Sequence, residues 1–371
     1  MKKPITVAVL CGGRSVEHEV SLRSAKTVVN ALDPHQYTVL VIYVDHEGQW
    51  FLLKDSHAFI ASEVVPQDRI PITVLFRQAT HPWVSLEDST QRFPTDIVFP
   101  VIHGSQGEDG ALQGLLEMVG IPYVGSRVLG SALCMDSAIS RQLLYAADIP
   151  LTGWLEVKRQ DDHAAVLDRV IQSFGFPLFV KPSNHGSSVG VNKVKNEKEF
   201  EHFLQLAFKY DDVVLVEQGI EGVRELECAI LGNEFPRASL PGEVIPHHEF
   251  YSYDAKYVDP NGASFKIPAD LPAATVEEIQ ALAIKAYELL QCEGMARIDF
   301  FMTPEGRILL NELNTIPGLT SVSLYPKLWE ASGIPRQALF DHLIKFALDR
   351  HQHRQTLTYR YIDSASPTEK S

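Results

Sequence analysis

The sequence predicts a multidomain protein of the α/β and α+β classes, and three observations carry that expectation. The chain opens as strand, glycine turn, amphipathic helix and strand, which is how a parallel sheet begins. Its later strands are β-branched and set between single helices, and the last two follow each other directly. Finally, 371 residues at roughly 100–200 per domain make two or three domains with room for sizeable cores.

Hydrophobic residues form 45% of the chain and charged residues 22%, the balance of an ordinary globular protein. A formal charge of −14, without a long basic run, argues against wrapping nucleic acid or an anionic membrane. A phosphate ligand needs only a local arrangement and is still allowed. Cys11, Cys134, Cys228 and Cys292 form no CxxC pair and read as reduced thiols. The opening apolar run ITVAVLC is too short for a leader, and no apolar stretch has the length of a membrane span. The expectation is a cytoplasmic protein.

In order, strand 6–11 runs into Gly12-Gly13, then an amphipathic stretch carries Val20, Val28, Val29 and Leu32 at helical spacing. Strand 37–44 completes the first β-turn-α-β unit. Residues 46–93, with Pro66, Pro71 and Pro82, read as an irregular excursion. Order returns with the β-branched run 96–102, the glycine-rich HGSQGEDG and an apolar helix over 112–119, which Gly120 stops. A junction near Met135 leads to a helix over 138–148. The strands 154–157, 177–181, 189–194 and 213–217 then enclose helices over 162–174 and 197–208. A third segment starts near Arg224 with LECAILG, has a long loop over about 243–265, a helix over 276–290, and closes on strands 294–302 and 307–314. The domains expected are 1–136, 137–222 and 223–360, with a polar, disordered tail over 361–371.

The densest chemistry is GMARIDFF followed by LLNELN. Alternate residues of a strand share a face, so Arg297 and Asp299 point together, as do Glu312 and Asn314. Paired across the turn at 303–306, they bring two carboxylates, an amide oxygen and an arginine together. Hard oxygen donors of this kind suit Mg²⁺ bound jointly with nucleotide phosphates. A solvent-facing edge hairpin is the bland reading, but dense apolar flanks would leave inner-face charges in need of partners. In PLFVKPSNHGSSVGVNKV, two strands enclose a Ser/Gly/Asn loop whose amides could cradle phosphates, with Lys181 beside it. A flexible hairpin turn fits that composition equally well. His103-Gly104 and Gly107–Gly110 open a helix, where amides favour an anion, although a capped turn explains them as well. Glu17 follows the first glycine turn, where ligands of α/β folds sit, and where a solvated carboxylate is also at home. The scattered histidines show no metal-ligand spacing and read as surface residues.

Together these segments resemble the D-alanine–D-alanine ligases. HGSQGEDGALQG (103–114) and GMARIDFF…LNELNTIPG (294–318) are similar to that family's two signature segments. CGGRSVEHEVSL (11–22), VKPSNHGSSVG (180–190) and FYSYDAKY (250–257) follow its other blocks in order. The resemblance spans about residues 5–350. It implies an ATP-grasp fold, with an N-terminal parallel-sheet α/β domain and two clamp domains closing on ATP. It also implies ligation of two D-alanines through a D-alanyl phosphate for peptidoglycan precursors, two Mg²⁺ (Mn²⁺ as substitute), and a homodimer. By the same resemblance, Glu17 would hold the first D-alanine's ammonium and His103 would lie near its carboxylate. Lys181, Lys256 and the amides of Ser187 and Ser188 would grip ATP phosphates, while Glu217 and Glu225 meet adenine and ribose. Asp299, Glu312 and Asn314 would carry the metals. Arg297 and the Gly318 amide would stabilise the oxyanion, and Ser323 would bind the second substrate's carboxylate. Ser187 and Tyr257 would join Glu17 in a hydrogen-bonded network that locks the long loop.

The chain departs from the family pattern twice. Ser137 stands where family members usually carry a phosphate-binding lysine, which leaves open whether Arg141, one turn on, substitutes. The segment EGVRE is one residue longer than usual, so the ribose contact lies among Glu221, Glu225 and Glu227. The alternatives are a ligase making D-alanyl-D-lactate or another D-Ala-X product, for which Tyr257 discriminates, and a nucleotide-binding regulatory relative without catalysis.

Overall fold

The computed structural model describes residues 3–78, 80–247, 259 and 261–361. The first sheet is built on the predicted strand–turn–helix–strand unit, β1 (Ile5–Gly12), α1 (His18–Ala31) and β2 (Tyr37–Val44). β1 pairs in parallel with β2 on one side and with β7 (Ile97–Pro100) on the other. The stretch 46–93 is not an irregular excursion. It forms β3 (Trp50–Leu53), α2 (Ser56–Ala61), β4 (Arg69–Val74), β5 (Trp83–Ser85) and β6 (Arg92–Phe93), which extend the sheet antiparallel to order β6-β5-β4-β3-β2-β1-β7. Of these strands only β4 contains a proline, Pro71, whose carbonyl accepts from the Leu86 amide. α3 (Ala111–Val119) begins at Gly110 and ends at Gly120, both left-handed at φ 93° and 83°, as an abrupt stop requires.

α4 (Val128–Met135) and α5 (Ser137–Ala146) lead into a four-stranded sheet of order β10-β9-β11-β8. Its strands are β8 (Trp154–Lys158), β9 (Leu178–Pro182), β10 (Asn192–Val194) and β11 (Val213–Gln218), backed by α6 (His163–Ser173) and α7 (Glu197–Ala207). The third sheet contains β12 (Arg224–Gly232), β14 (Gly242–Pro246), β15 (Ala263–Lys266), β16 (Gly294–Met302) and β17 (Ile308–Asn314), in the order β15-β14-β12-β16-β17. β13 (Arg237–Ala238) pairs beside β12. The ends of the expected long loop are therefore paired strands, with Glu243 opposite Lys266 and Pro246 opposite Ala263.

Period-two patterning decides what each face of the third sheet meets. Leu226, Cys228, Ile298 and Phe300 pack under α8 (Ala273–Leu289) with Ile279, Ala283 and Tyr287. The intervening Glu225, Glu227, Arg297 and Asp299 face the other way. α9 (Leu324–Ala331) and α10 (Arg336–Gln355) close the chain. α10 crosses back to the first sheet: the Phe340 and Phe99 rings meet edge-on at 5.9 Å, and the Tyr37 hydroxyl donates to Asp341 at 2.8 Å. One core thus contains Val7, Val41 and Phe99 together with Leu231, Trp329 and Phe340, whereas the core around Val157, Val180 and Phe200 is built from residues of the four-stranded sheet and its two helices.

Candidate active site

The four-stranded sheet and the polar face of the third sheet enclose a cavity of about 440 Å³, lined by Phe179, Lys181, Ser188, Glu217, Glu225 and Asp299 among others. Lys181 projects from β9 and Glu217 from β11, which are hydrogen-bonded neighbours. Lys181 Nζ lies 3.0 Å from Glu217 Oε1, and Arg141 Nε, from α5, lies 2.7 Å from the same oxygen. Burial pushes the Glu217 carboxyl up, but the Arg141 and Lys181 charges outweigh it and hold it below its ordinary value. Arg141 is only 1% exposed and donates through Nη1 to Thr152 Oγ1 at 3.2 Å. Arg141 is not among the residues lining the cavity. Ser137 is the first residue of α5, and its amide donates to Ser183 O at 3.0 Å.

A second, smaller cavity of about 130 Å³ adjoins the first, and Glu227 and Glu312 line both. Glu17, His103, Ser187, Arg297, Gly318 and Ser323 all border it. Glu17 sits just before α1, and its carboxylate is wedged between two loops: Cβ atoms built on Gly104 and Gly186 would lie 3.0 and 3.8 Å from Oε2. Ser187 Oγ donates to Glu17 Oε1. Ser187 and Ser188 hold left-handed backbones at φ 54° and 59°, conformations that cost energy away from glycine and recur at ligand-gripping loops. His103 Nδ1 lies 3.0 Å from Ile316 O and Nε2 3.0 Å from Ser24 Oγ. Burial pulls the His103 imidazole down, yet Glu108, Glu17 and the Ile316 carbonyl together raise it above its ordinary value. Ser323 precedes α9, and its Oγ lies 2.7 Å from Thr320 Oγ1 and accepts from the Thr320 amide at 3.1 Å.

The floor between the cavities is the β16–β17 hairpin. Asp299 faces Glu312 and Arg297 faces Asn314, with a bulge after Asp299 that admits Asn311 without turning Glu312 away. Arg297 grips Asp299 bidentately at 2.7 and 2.6 Å, and its Nε lies 3.0 Å from Glu227 Oε2. Asn314 Nδ2 donates to Asp299 Oδ2 at 3.3 Å. Two carboxylates and an amide on adjoining rungs are a hard-oxygen set of the kind a divalent cation takes beside phosphates.

The structure thus brings together all the sequence-derived candidates except Lys256 and Tyr257, which lie outside the described residues, as does the tail from 362 on. Glu225 lies in the larger cavity, as do Glu221 and Glu227, so proximity alone does not separate the three. Arg23, Thr320 and Phe265, which also line the smaller cavity, carried no sequence signal. Nor did Ser24, a buried partner of His103. His18, read as a surface residue, is buried with Nδ1 2.6 Å from Gly13 O.

A nucleotide-sized cleft between two β-sheets, floored by an acidic hairpin and opening on a small polar pocket, defines an ATP-grasp enzyme. Residues 6–126 match the model for the D-ala D-ala ligase N-terminus and residues 143–345 that for the C-terminus. The chain belongs to the D-alanine–D-alanine ligase family. It is 48% identical to the D-alanine–D-alanine ligase of Coxiella burnetii (strain Dugway 5J108-111) over 366 residues, covering 97% of this chain and 98% of the relative. It is 43% identical to D-alanine–D-alanine ligase A of Salmonella typhimurium over 360 residues, covering 95% and 98%. The solved ligase structure from Coxiella burnetii superposes with a TM-score of 0.87 at 44% identity, covering 96% of this chain and 97% of that one. The VanG D-Ala:D-Ser ligase from Enterococcus faecalis superposes at 0.82 with 33% identity, covering 93% and 100%.

Proposed function

We propose that this chain joins two D-alanines to D-alanyl-D-alanine at the expense of ATP, supplying peptidoglycan precursors. The observation that carries the reading is the pair of adjoining cavities that share Glu227 and Glu312. One accepts a nucleotide and the other an amino acid, and phosphoryl transfer requires the two side by side.

In this reading ATP lies in the larger cavity, with adenine and ribose near Glu217 and Glu225. Lys181, Lys256 and the amides of Ser187 and Ser188 hold its phosphates. Glu17 takes the ammonium of the first D-alanine. His103, with both ring nitrogens engaged by Ser24 and Ile316, lies near its carboxylate. That carboxylate attacks the γ-phosphorus, forming D-alanyl phosphate and releasing ADP. The amine of the second D-alanine, anchored through its carboxylate at Ser323, then attacks the acyl carbon and loses a proton as phosphate leaves. Arg297, through its remaining N–H donors, and the Gly318 amide stabilise the oxyanion of the tetrahedral intermediate, work that can contribute several kcal/mol. Asp299, Glu312 and Asn314 would hold Mg²⁺, or Mn²⁺ in its place, to neutralise phosphate charge. The domains are 1–136 for the first substrate and 137–222 and 223–360 for the clamp. Cytoplasmic residence and a homodimer complete the reading.

A D-alanine-dependent release of ADP, with the dipeptide identified by mass, tests this directly. ATP binding without D-alanine-dependent turnover would establish the regulatory alternative instead. Likeness to a D-Ala:D-Ser ligase makes the acceptor worth a separate assay, with D-serine and D-lactate offered beside D-alanine. The native protein should make the dipeptide of D-alanine and no appreciable ester. Tyr257→Phe, which removes one hydroxyl, should gain some ester synthesis, most visibly at low pH where the competing amine is protonated. Unchanged product ratios would remove Tyr257 from the acceptor site.

A further inference from the structure

The cluster at the back of the larger cavity holds two cations against one carboxylate. Arg141 and Lys181 share Glu217 Oε1 at 2.7 and 3.0 Å, and all three side chains are buried, at 1%, 8% and 7% exposure. Their placement differs in one respect: Lys181 and Glu217 line the cavity, whereas Arg141 does not. Arg141 is fixed from behind, with Nη1 on the side chain and carbonyl of Thr152 at 3.2 and 3.4 Å and its guanidinium 5.8 Å from the Trp154 ring.

A buried carboxylate stripped of its partner is strongly unfavourable. Lys181 can therefore turn to a phosphate at little cost only if another cation stays on Glu217. We infer that Arg141 is a positioning residue for ATP: by remaining on Glu217 it releases Lys181 to the phosphates and keeps the carboxylate aimed into the cavity. The inference rests on the reading that Lys181 and Glu217 meet the nucleotide. It explains why a second buried cation lies behind the cavity without lining it.

Arg141→Gln should raise KM for ATP about tenfold or more, the size of one charge-assisted contact, while KM for D-alanine and kcat at saturating ATP stay near wild type. Arg141→Lys, which restores the charge, should recover most of the loss. Inorganic tripolyphosphate, which has no adenine, isolates the phosphate half of the site. Its inhibition should weaken in Arg141→Gln and recover when Glu217→Gln is added, because the carboxylate that traps Lys181 is then gone. Equal losses for ATP and D-alanine, no rescue by lysine, or tripolyphosphate inhibition indifferent to Glu217→Gln would overturn the inference. If Arg141→Gln does not fold, the near-isosteric Glu217→Gln alone decides, since it should strengthen tripolyphosphate inhibition, and unchanged or weaker inhibition overturns the idea. A wild-type chain without D-alanine-dependent ADP release would overturn the reading of the site and the inference with it. An active wild type with indifferent variants overturns the inference alone.

Discussion

At the scale of single residues, four expectations follow from the geometry. Glu312 lines both cavities and faces Asp299 across the hairpin, so Glu312→Gln should cut turnover about 100-fold or more while weakening nucleotide binding far less. Near-normal turnover at saturating Mg²⁺ would remove Glu312 from the metal site. Ser137, whose amide donates to the Ser183 carbonyl, begins α5 beside the loop proposed to hold phosphates, so Ser137→Lys should lower KM for ATP by several-fold. An active fold with weaker ATP use would show that the space is already filled. A Cβ on Gly318 would lie 2.8 Å from Ser323 Oγ, which Thr320 holds in place. Gly318→Ala should therefore raise KM for the second D-alanine, read by separating the two substrate affinities, with ATP affinity unchanged. His103 carries a pH signature. Its imidazole titrates above the ordinary 6.5 in the folded chain, so its protonation stabilises the fold below that value and the benefit fades as pH rises through the folded pKa. The urea stability gap between wild type and His103→Gln should accordingly shrink from about pH 5.5 to about pH 8.5.

Among the elements, the β16–β17 hairpin was legible in the sequence because its polar residues sit at alternate positions and its turn is short. Register then followed from local spacing, and the bulge at Asn311 left the facing pairs intact. Long-range partners were not legible. Glu227 reaches Arg297 because β12 pairs with β16, and Arg141 reaches Glu217 because α5 packs behind β11. No spacing rule encodes either contact. The strands β3 to β6 were missed for a different reason: each has only two to six residues and prolines punctuate the chain around them, so alternation never accumulates. β14 and β15 were hidden inside an expected loop, and their pairing draws the two ends of the segment between them together beside Val244 and Pro246, which line the larger cavity. Protease cleavage between 247 and 262 should slow when ATP and a D-alanine-like inhibitor are both present, as for a lid that shields an acyl phosphate from water. Equal cleavage rates with and without them would argue against closure there.

For the whole molecule, the cores divide unevenly. The N-terminal sheet and the helices that end the chain share one core, while the four-stranded sheet has its own. Phe340 is fully buried against Phe99 across that shared core. Phe340→Ala should cost about 3–5 kcal/mol. It should lower the unfolding midpoint of probes in the first and third sheets together, as monitored by hydrogen exchange. Independent shifts in the two regions would contradict a common core. Fold class was readable from the sequence because each sheet announces itself through its own strands, but the sharing of a core is a property of packed surfaces that lie far apart in the chain.

That shared core bears on recombination between ligases. The junction near residue 126 looks like a natural seam, since the two family segments part there. Yet the face of the first sheet that holds Phe99 is covered by residues more than two hundred positions later, including Phe340 and Leu343. A first segment expressed by itself would present that apolar face to water, an invitation to aggregate. One grafted from a distant ligase would meet a helix shaped for other side chains. The portable piece is the central one, residues 154–218, whose strands and helices complete a core from their own side chains. Shuffling libraries cut at its borders should yield more soluble chimeras than libraries cut at the apparent seam.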